Sequence, residues 1–547
     1  MPLAAALRTA ARECKLAAPI FSDEQASQGL AITAELCAHF QPPATSAQAA
    51  SLLLQLPADL LCGILSRLGI RDIACLAATC RSLCRDAPAP PPPPRQIGPV
   101  EAELRRRAEA RGLDVGSSLP EGATSWVACL LKRSRRDAQR RQAPLAAESY
   151  CSIFVDTAGR LLTCGRDLDS TGLGHALDPA ADPTLCREIG PPTPVPSMQG
   201  RRIVSVATSN GHCLALSIEG DVYSWGGGSY GALGHGDRGT RMVPSRIESL
   251  SRIERIAVGQ PWTSAAIDEK GWLFTWGKAS SSDLDEDEYG NLLEDEIEGP
   301  SGLGYELNAE TDRQLTPKKV DALSQERVVG VALGYGFTLA VTDAGAVFSF
   351  GFNMEGGLGH GLSRSEVLPR RIEALAQTER RFIAVAAGMC HALALTEEGE
   401  LYGWGREDAY GWGREDANGH EREQRTPQRI AALIGQRVKL VNANEYTSCA
   451  VTEKGELFTW GAMSADGSIG HEESPATPMR VAALSGVKIA AVAIGVTHTL
   501  AADADGVVWV FGQPSALALG ASGPEGNAAV LTPTPIPTLR VRVFNSP

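Results

Sequence analysis

Long apolar runs are missing from this 547-residue chain: none reaches the roughly 18 uncharged residues that a membrane-spanning helix requires, so a transmembrane helix is not expected. Basic residues are outnumbered, 51 Lys and Arg against 64 Asp and Glu, for a formal charge of -13 and a pI near 5.3. That balance argues against direct nucleic-acid binding through a surface that neutralises phosphates. Thirteen cysteines run from Cys14 to Cys449 without a Cys-x-x-Cys pair or a Cys/His zinc spacing, so they read as buried thiols of a reducing compartment and no metal is assigned. A phosphate loop, a dinucleotide fingerprint, a nucleophile elbow and a metalloprotease helix are all absent. No catalytic residue and no cofactor is therefore assigned, and the chain reads as non-enzymatic. The opening MPLAAALRTAARECK lacks the apolar centre of a secretory signal and is acidic by Glu13, so residues 1–50 are expected to be a flexible Ala-rich leader.

Turn-forming residues are abundant. With 57 glycines, 34 prolines and aromatics at only 5%, the composition points to many short strands rather than long helices. A repeat organises them: GRLLTCG, GDVYSWG, GWLFTWG, GAVFSFG, GELYGWG, GELFTWG and GVVWVFG end at Gly165, Gly226, Gly277, Gly351, Gly405, Gly461 and Gly512. The intervals are 61, 51, 74, 54, 56 and 51 residues, which is four short strands and their turns per unit. The leading glycine of each copy marks a hairpin turn. A second signature follows, GLGH at Gly172 to His175, GALGH at Gly231 to His235 and GGLGH at Gly356 to His360. A single blade cannot cover its own faces, so these leucines and aromatics are expected to pack on neighbouring blades.

These residues resemble the regulator-of-chromosome-condensation (RCC) repeat, in which a strand ending in Trp-Gly precedes a Gly-x-Leu-Gly loop. The resemblance implies a mainly β chain whose residues 148–547 form a seven-bladed propeller; a WD-type propeller, with shorter blades ending in Trp-Asp, fits less well. Two places depart from the pattern. YGWGREDA occurs in tandem from Tyr402 and from Tyr410, so either Trp404 or Trp412 can end the strand, and Asn418 stands where other loops carry leucine. The first copy has basic QRRQA where an opening apolar strand is expected, while the chain ends in PTLRVRVF; Val541 to Phe544 is therefore expected to supply the missing strand of the first blade and close the ring.

Before the repeats, residues 51–87 change character. Leu56, Leu60, Leu61, Ile64, Leu65 and Leu68 keep a 3.6-residue period with Pro57 in the first turn, and Ile73, Leu76, Cys80 and Leu83 follow behind a capping Asp72. The string resembles the F-box, whose Leu-Pro, Leu-Leu, Ile-Leu, Asp-hydrophobic and Cys-basic elements correspond to Leu56-Pro57, Leu60-Leu61, Ile64-Leu65, Asp72-Ile73 and Cys80-Arg81. It departs where Leu83 and Cys84 replace a frequent tryptophan. The resemblance implies a small α-helical module that binds a Skp-type adaptor, and through it a cullin, by Leu56, Pro57, Leu60, Leu61, Ile64, Leu65, Leu68, Ile73 and Leu76. The plainer reading is a helical hairpin packed on the propeller. Residues 88–95 read as a stiff proline-rich linker and 96–142 as a helical bridge.

The histidines invite a search for catalysis, but eight of the nine occupy repeated slots, His39 being the exception, and so read as packing and hydrogen-bonding groups. The longest interval carries an acidic run: Asp283, Asp285, Glu286, Asp287, Glu288, Glu294, Asp295, Glu296 and Glu298. It reads as a solvated loop or as a dock for a basic partner. Three functions compete: substrate recognition for a Skp-cullin-F-box ubiquitin ligase, guanine-nucleotide exchange on a small GTPase or chromatin scaffolding as in the RCC family, and UV-B photoreception. The last needs repeated Gly-Trp-Arg-His-Thr segments, which are absent. The protein substrate is not legible, and cytoplasm, nucleus or both are expected.

Overall fold

Each repeat unit folds into one four-stranded antiparallel sheet, and seven such sheets form a β-propeller in the computed structural model. The described residues are 143–148, 151–167, 173–175, 187–209, 211–260, 262–278, 302–307, 313–406, 423–445, 447–461, 469–471, 475–512 and 530–543. The chain divides into units 1–137 and 138–547, and all described residues belong to the second. The blades span residues 145–194, 203–246, 253–319, 328–371, 382–429, 438–480 and 489–540.

Within a blade the strands run in sequence order from the central channel outward. Second strands such as His212–Ser217 and His391–Thr396 are buried along their whole length, because each blade is covered on both faces by its neighbours. Fourth strands lie at the rim and are half exposed, and they carry prolines: Pro244, Pro317, Pro369, Pro427 and Pro535. Proline cannot donate to a further strand, so the rim is blunted against edge-to-edge pairing.

The strand-ending aromatics Trp225, Trp276, Phe350, Trp404, Trp460 and Phe511 are buried between blades. The Trp276 indole donates to the Ala232 carbonyl at 2.7 Å and the Trp404 indole to the Gly357 carbonyl at 2.7 Å, each in the loop of the preceding blade. This fixes the register left open by the tandem YGWGREDA: Trp404 ends the strand, with Gly405 opposite His391. Asn418 lies outside the described residues.

The glycine after each aromatic is required by the backbone. Gly405 has φ 111°, and a Cβ there would stand 2.2 Å from the Cys390 carbonyl oxygen. Gly435 also has positive φ, 86°, but nothing lies within 4 Å of a Cβ. Gly405→Ala is expected to cost about 3 kcal/mol, read as a lowered urea midpoint, and Gly435→Ala only about 1 kcal/mol. Equal costs would show that the Cys390 contact relaxes.

Ring closure differs from the expectation. The first blade has its own opening strand, Leu145–Ala147, paired with Cys151–Val155. The C-terminal strand Val530–Arg540 instead completes the seventh blade against Val507–Gly512. Val541 pairs with the first blade only as an isolated bridge to Asp156 and otherwise packs into the core that the two blades share, and Phe544 lies outside the described residues. Closure comes from packing: Leu145, Phe154 and Leu162 of the first blade share a core with Leu500, Ile536 and Leu539 of the last.

Candidate interaction face

Histidines in repeated slots stitch the ring. Ser264 Oγ donates a hydrogen bond to the Ala232 carbonyl at 2.9 Å, so at 2.8 Å it accepts from His212 Nε2, which fixes the tautomer. His391 bonds Ser448 at 2.7 Å and His498 bonds Ser152 at 2.8 Å, the latter across the closure between blades 7 and 1. A second set, His175, His235, His360 and His471, bonds the third-strand hydroxyls Thr163, Ser224, Ser349 and Thr459 within a blade. Burial lowers the His212 and His391 pKa to about 4 and that of His498 to about 3. Such neutral rings, occupied by hydroxyls, hold blades together rather than perform acid-base chemistry.

The two ends of the propeller differ. On the hairpin-turn face the charges repeat: Arg252 pairs with Glu269 at 3.0 Å, Arg437 with Glu453 at 3.1 Å and Arg381 with Glu397 at 3.3 Å, each arginine just before a blade's first strand meeting the turn after that blade's second strand. Trp272 lies near this face with Lys319 3.6 Å and Lys270 4.3 Å from its ring.

The opposite, loop face is irregular. There the channel, a cavity of about 440 Å³, opens beside Gln260, Tyr335, Met389 and Glu445. Gln260 Nε2 donates to Glu445 Oε1 at 2.7 Å, joining blade 3 to blade 6 across the mouth, and burial raises the Glu445 pKa. Deeper in, Arg255 and Lys439 line the wall, both shifted down by burial, Arg255 to about 10.

At the junction of blades 2 and 3 the loop face carries an aromatic and cationic cluster. The Trp262 ring is 5.5 Å from Tyr230 and stacks on His212 at 6.2 Å. Lys278 lies 4.7 Å and Arg313 5.5 Å from the Tyr230 centroid, within cation–π range. Trp262 has φ 59°, and its indole fits only because its neighbour is glycine: a Cβ on Gly211 would lie 1.9 Å from the ring. Sequence reading missed this cluster. The signal was present, since the residue just before the second strand is Gly211 in blade 2 and Gly336 in blade 4 but Trp262 in blade 3.

The adaptor-binding set from Leu56 to Leu76 and the acidic run from Asp283 to Glu298 lie outside the described residues. The flanks of the acidic segment are placed: Lys278 ends the third strand of blade 3, and Leu303 is buried with its carbonyl accepting from Thr275 at 2.6 Å.

Comparison with known proteins agrees with this architecture. Models of the regulator of chromosome condensation (RCC1) repeat match residues 219–266, 344–395 and 454–502, with a second RCC1 model matching 203–232 and 382–411. An F-box domain model matches residues 53–85. The chain is 37% identical over 320 residues to the human E3 ubiquitin-protein ligase HERC2, covering 57% of this chain and 6% of that protein. It is 34% identical over 286 residues to the Arabidopsis thaliana ultraviolet-B receptor UVR8, covering 52% and 58% respectively. In fold it is similar to Prp20p from Saccharomyces cerevisiae, a protein studied for binding to Gsp1p and histones, with a TM-score of 0.53, 22% identity, and 74% and 89% of the two chains covered. The chain thus spans well under two thirds of either curated relative.

Proposed function

For a chain that carries an F-box domain and a seven-bladed propeller of RCC1 repeats, we propose the role of substrate-recognition subunit in a Skp-cullin-F-box ubiquitin ligase. The observation that carries this reading is the coexistence of the two parts in one chain. On this reading the F-box offers a Skp-type adaptor the apolar residues Leu56, Pro57, Leu60 and Leu61, and the propeller holds the target on a rigid ring. The architecture fits a non-catalytic adaptor, consistent with histidines whose Nε2 atoms are engaged in inter-blade and intra-blade hydrogen bonds. Work in cytoplasm, nucleus or both is part of the same proposal.

Capture of adaptor and cullin by the purified full chain is the test. Leu56→Ala combined with Pro57→Ala is expected to weaken adaptor binding about thirtyfold, because interface energy concentrates in a few apolar anchors, while the melting temperature of the ring stays the same. Undiminished capture by the double variant would refute the assignment. Rapid nucleotide release from a small nuclear GTPase on addition of the chain would favour the exchange-factor reading instead.

A further inference from the structure

We propose that the propeller takes its target at the loop-face mouth of the channel, where a lysine or arginine side chain of a basic protein segment enters and displaces Gln260 from Glu445. The proposal rests on the substrate-receptor reading and names the group that the receptor recognises.

A repeat protein keeps in every copy what its scaffold needs and varies what its loops are used for. At the mouth, the loops between first and second strands bring in Gln260, Tyr335, Met389 and Glu445 from blades 3, 4, 5 and 6, four different side chains from four consecutive copies. All four are half-buried. Backbone bonds hold these loops in pairs: Gly336 N donates to the Gln260 carbonyl at 2.9 Å, and Met389 N to the Glu445 carbonyl at 3.0 Å. The side-chain bond from Gln260 to Glu445 then spans the opening between the two pairs.

That bond leaves a charge uncompensated. The Gln260 amide is neutral, and no ion pair joins Glu445 to any described residue. Burial accordingly raises the Glu445 pKa, the behaviour of a carboxylate without a cation beside it. The cations that line the channel, Arg255 and Lys439, stand near the starts of their first strands, at the hairpin-turn end and away from the mouth. An ammonium or guanidinium in place of the amide would supply the missing charge where bulk water screens it less. The other mouth residues suit such a guest, since Tyr335 offers a ring to the cation and Met389 an apolar surface to its alkyl stem. The chamber behind them, about 440 Å³, lies in the range of roughly 300–1,000 Å³ usual for ligand sites. A net charge of -13 draws a basic segment towards the chain and repels an acidic one.

Fluorescence anisotropy with the full chain tests this, using labelled Gly/Ser peptides that carry a single central arginine, lysine, alanine or glutamate. The arginine and lysine peptides are expected to bind, more weakly as salt is added, and the alanine and glutamate peptides are not. Glu445→Gln keeps the shape of the side chain and an oxygen for Gln260, yet should lower the affinity for the arginine peptide at least about tenfold. Gln260→Ala removes the competing amide and should raise that affinity about threefold, a gain that a packing role would not produce. Trp272→Ala on the other face leaves binding unchanged. Adaptor capture should persist in all three variants, so that a failure here is distinguishable from a failure of the receptor reading. The proposal is overturned if neither basic peptide binds, if Glu445→Gln binds undiminished, or if Gln260→Ala fails to bind more tightly. Displacement of the label by spermidine as readily as by unlabelled peptide would overturn the protein origin of the cation. A drop of several degrees in the melting temperature of Gln260→Ala would mark the bond as a strut of the ring and overturn the proposal as well.

Discussion

Removal of residues 530–547 is expected to abolish cooperative unfolding of the ring. The segment supplies the outer strand of the seventh blade, and its loss would bare the Val507–Gly512 edge. It also takes Ile536, Leu539 and Val541 out of the core shared by blades 7 and 1, where each is at most 5% exposed. At about 2 kcal/mol for each buried aliphatic side chain, the loss is about 6 kcal/mol before any strand hydrogen bond is counted. That rivals the 5–15 kcal/mol or so by which a typical domain is stable. Circular dichroism and calorimetry should show a broad or absent transition and a tendency to aggregate. A truncated chain melting within a few degrees of the full one would show that the Ser152–His498 bond and the remaining first-blade contacts suffice to close the ring.

Acid is expected to loosen the same ring through its histidines. An unfolded histidine takes up a proton below about pH 6.5, whereas burial holds His212 and His391 neutral down to about pH 4 and His498 to about pH 3. Stability is therefore complete above pH 6.5 and declines as pH falls from 6.5 towards 4, because only the unfolded state gains the proton. Down to pH 4 each of the three histidines contributes about 3 kcal/mol to that decline, at 1.36 kcal/mol for each pH unit below 6.5. His391 and His498 are the more exposed to this effect, since their Nδ1 atoms have no partner among the described residues. Glu445, shifted up by burial, titrates with the opposite sign and offsets part of the loss. The melting temperature should be flat from pH 8 to about 6.5 and fall steadily by pH 5. Substituting His391→Gln and His498→Gln, which keeps an N–H donor that cannot titrate, should flatten that slope. An unchanged slope in the double variant would place the acid sensitivity elsewhere.

Reading the repeat worked because one pattern recurs seven times and is enforced by local sterics: a glycine that alone tolerates its φ, an aromatic before it in six of the seven copies and Cys164 in the first, and a loop that covers the next blade's aromatic. Where a local copy was ambiguous, only contacts between blades resolved it. The choice of Trp404 depends on the Gly357 carbonyl 47 residues earlier in the chain. The opening strand of the first blade was misread because Leu145–Ala147 is three residues long, too short to show a pattern after a basic run, and PTLRVRVF offered a more strand-like alternative.

The sequence by itself determined the number of blades, the strand-ending aromatics outside the tandem YGWGREDA, the structural use of the repeated histidines and the presence of an F-box segment. These are local or periodic properties, and repetition separates them from chance. Tertiary structure alone decided which strand completes the ring, which histidine meets which serine, and how Trp262, Tyr230, Lys278 and Arg313 come together from three stretches of chain. Those facts depend on how neighbouring sheets stack, and on a backbone conformation at Trp262 that nothing in its own residue type predicts. The physical reason is that a blade's identity is written within some fifty residues, while its neighbours' positions emerge only when apolar faces from separate units must be buried together.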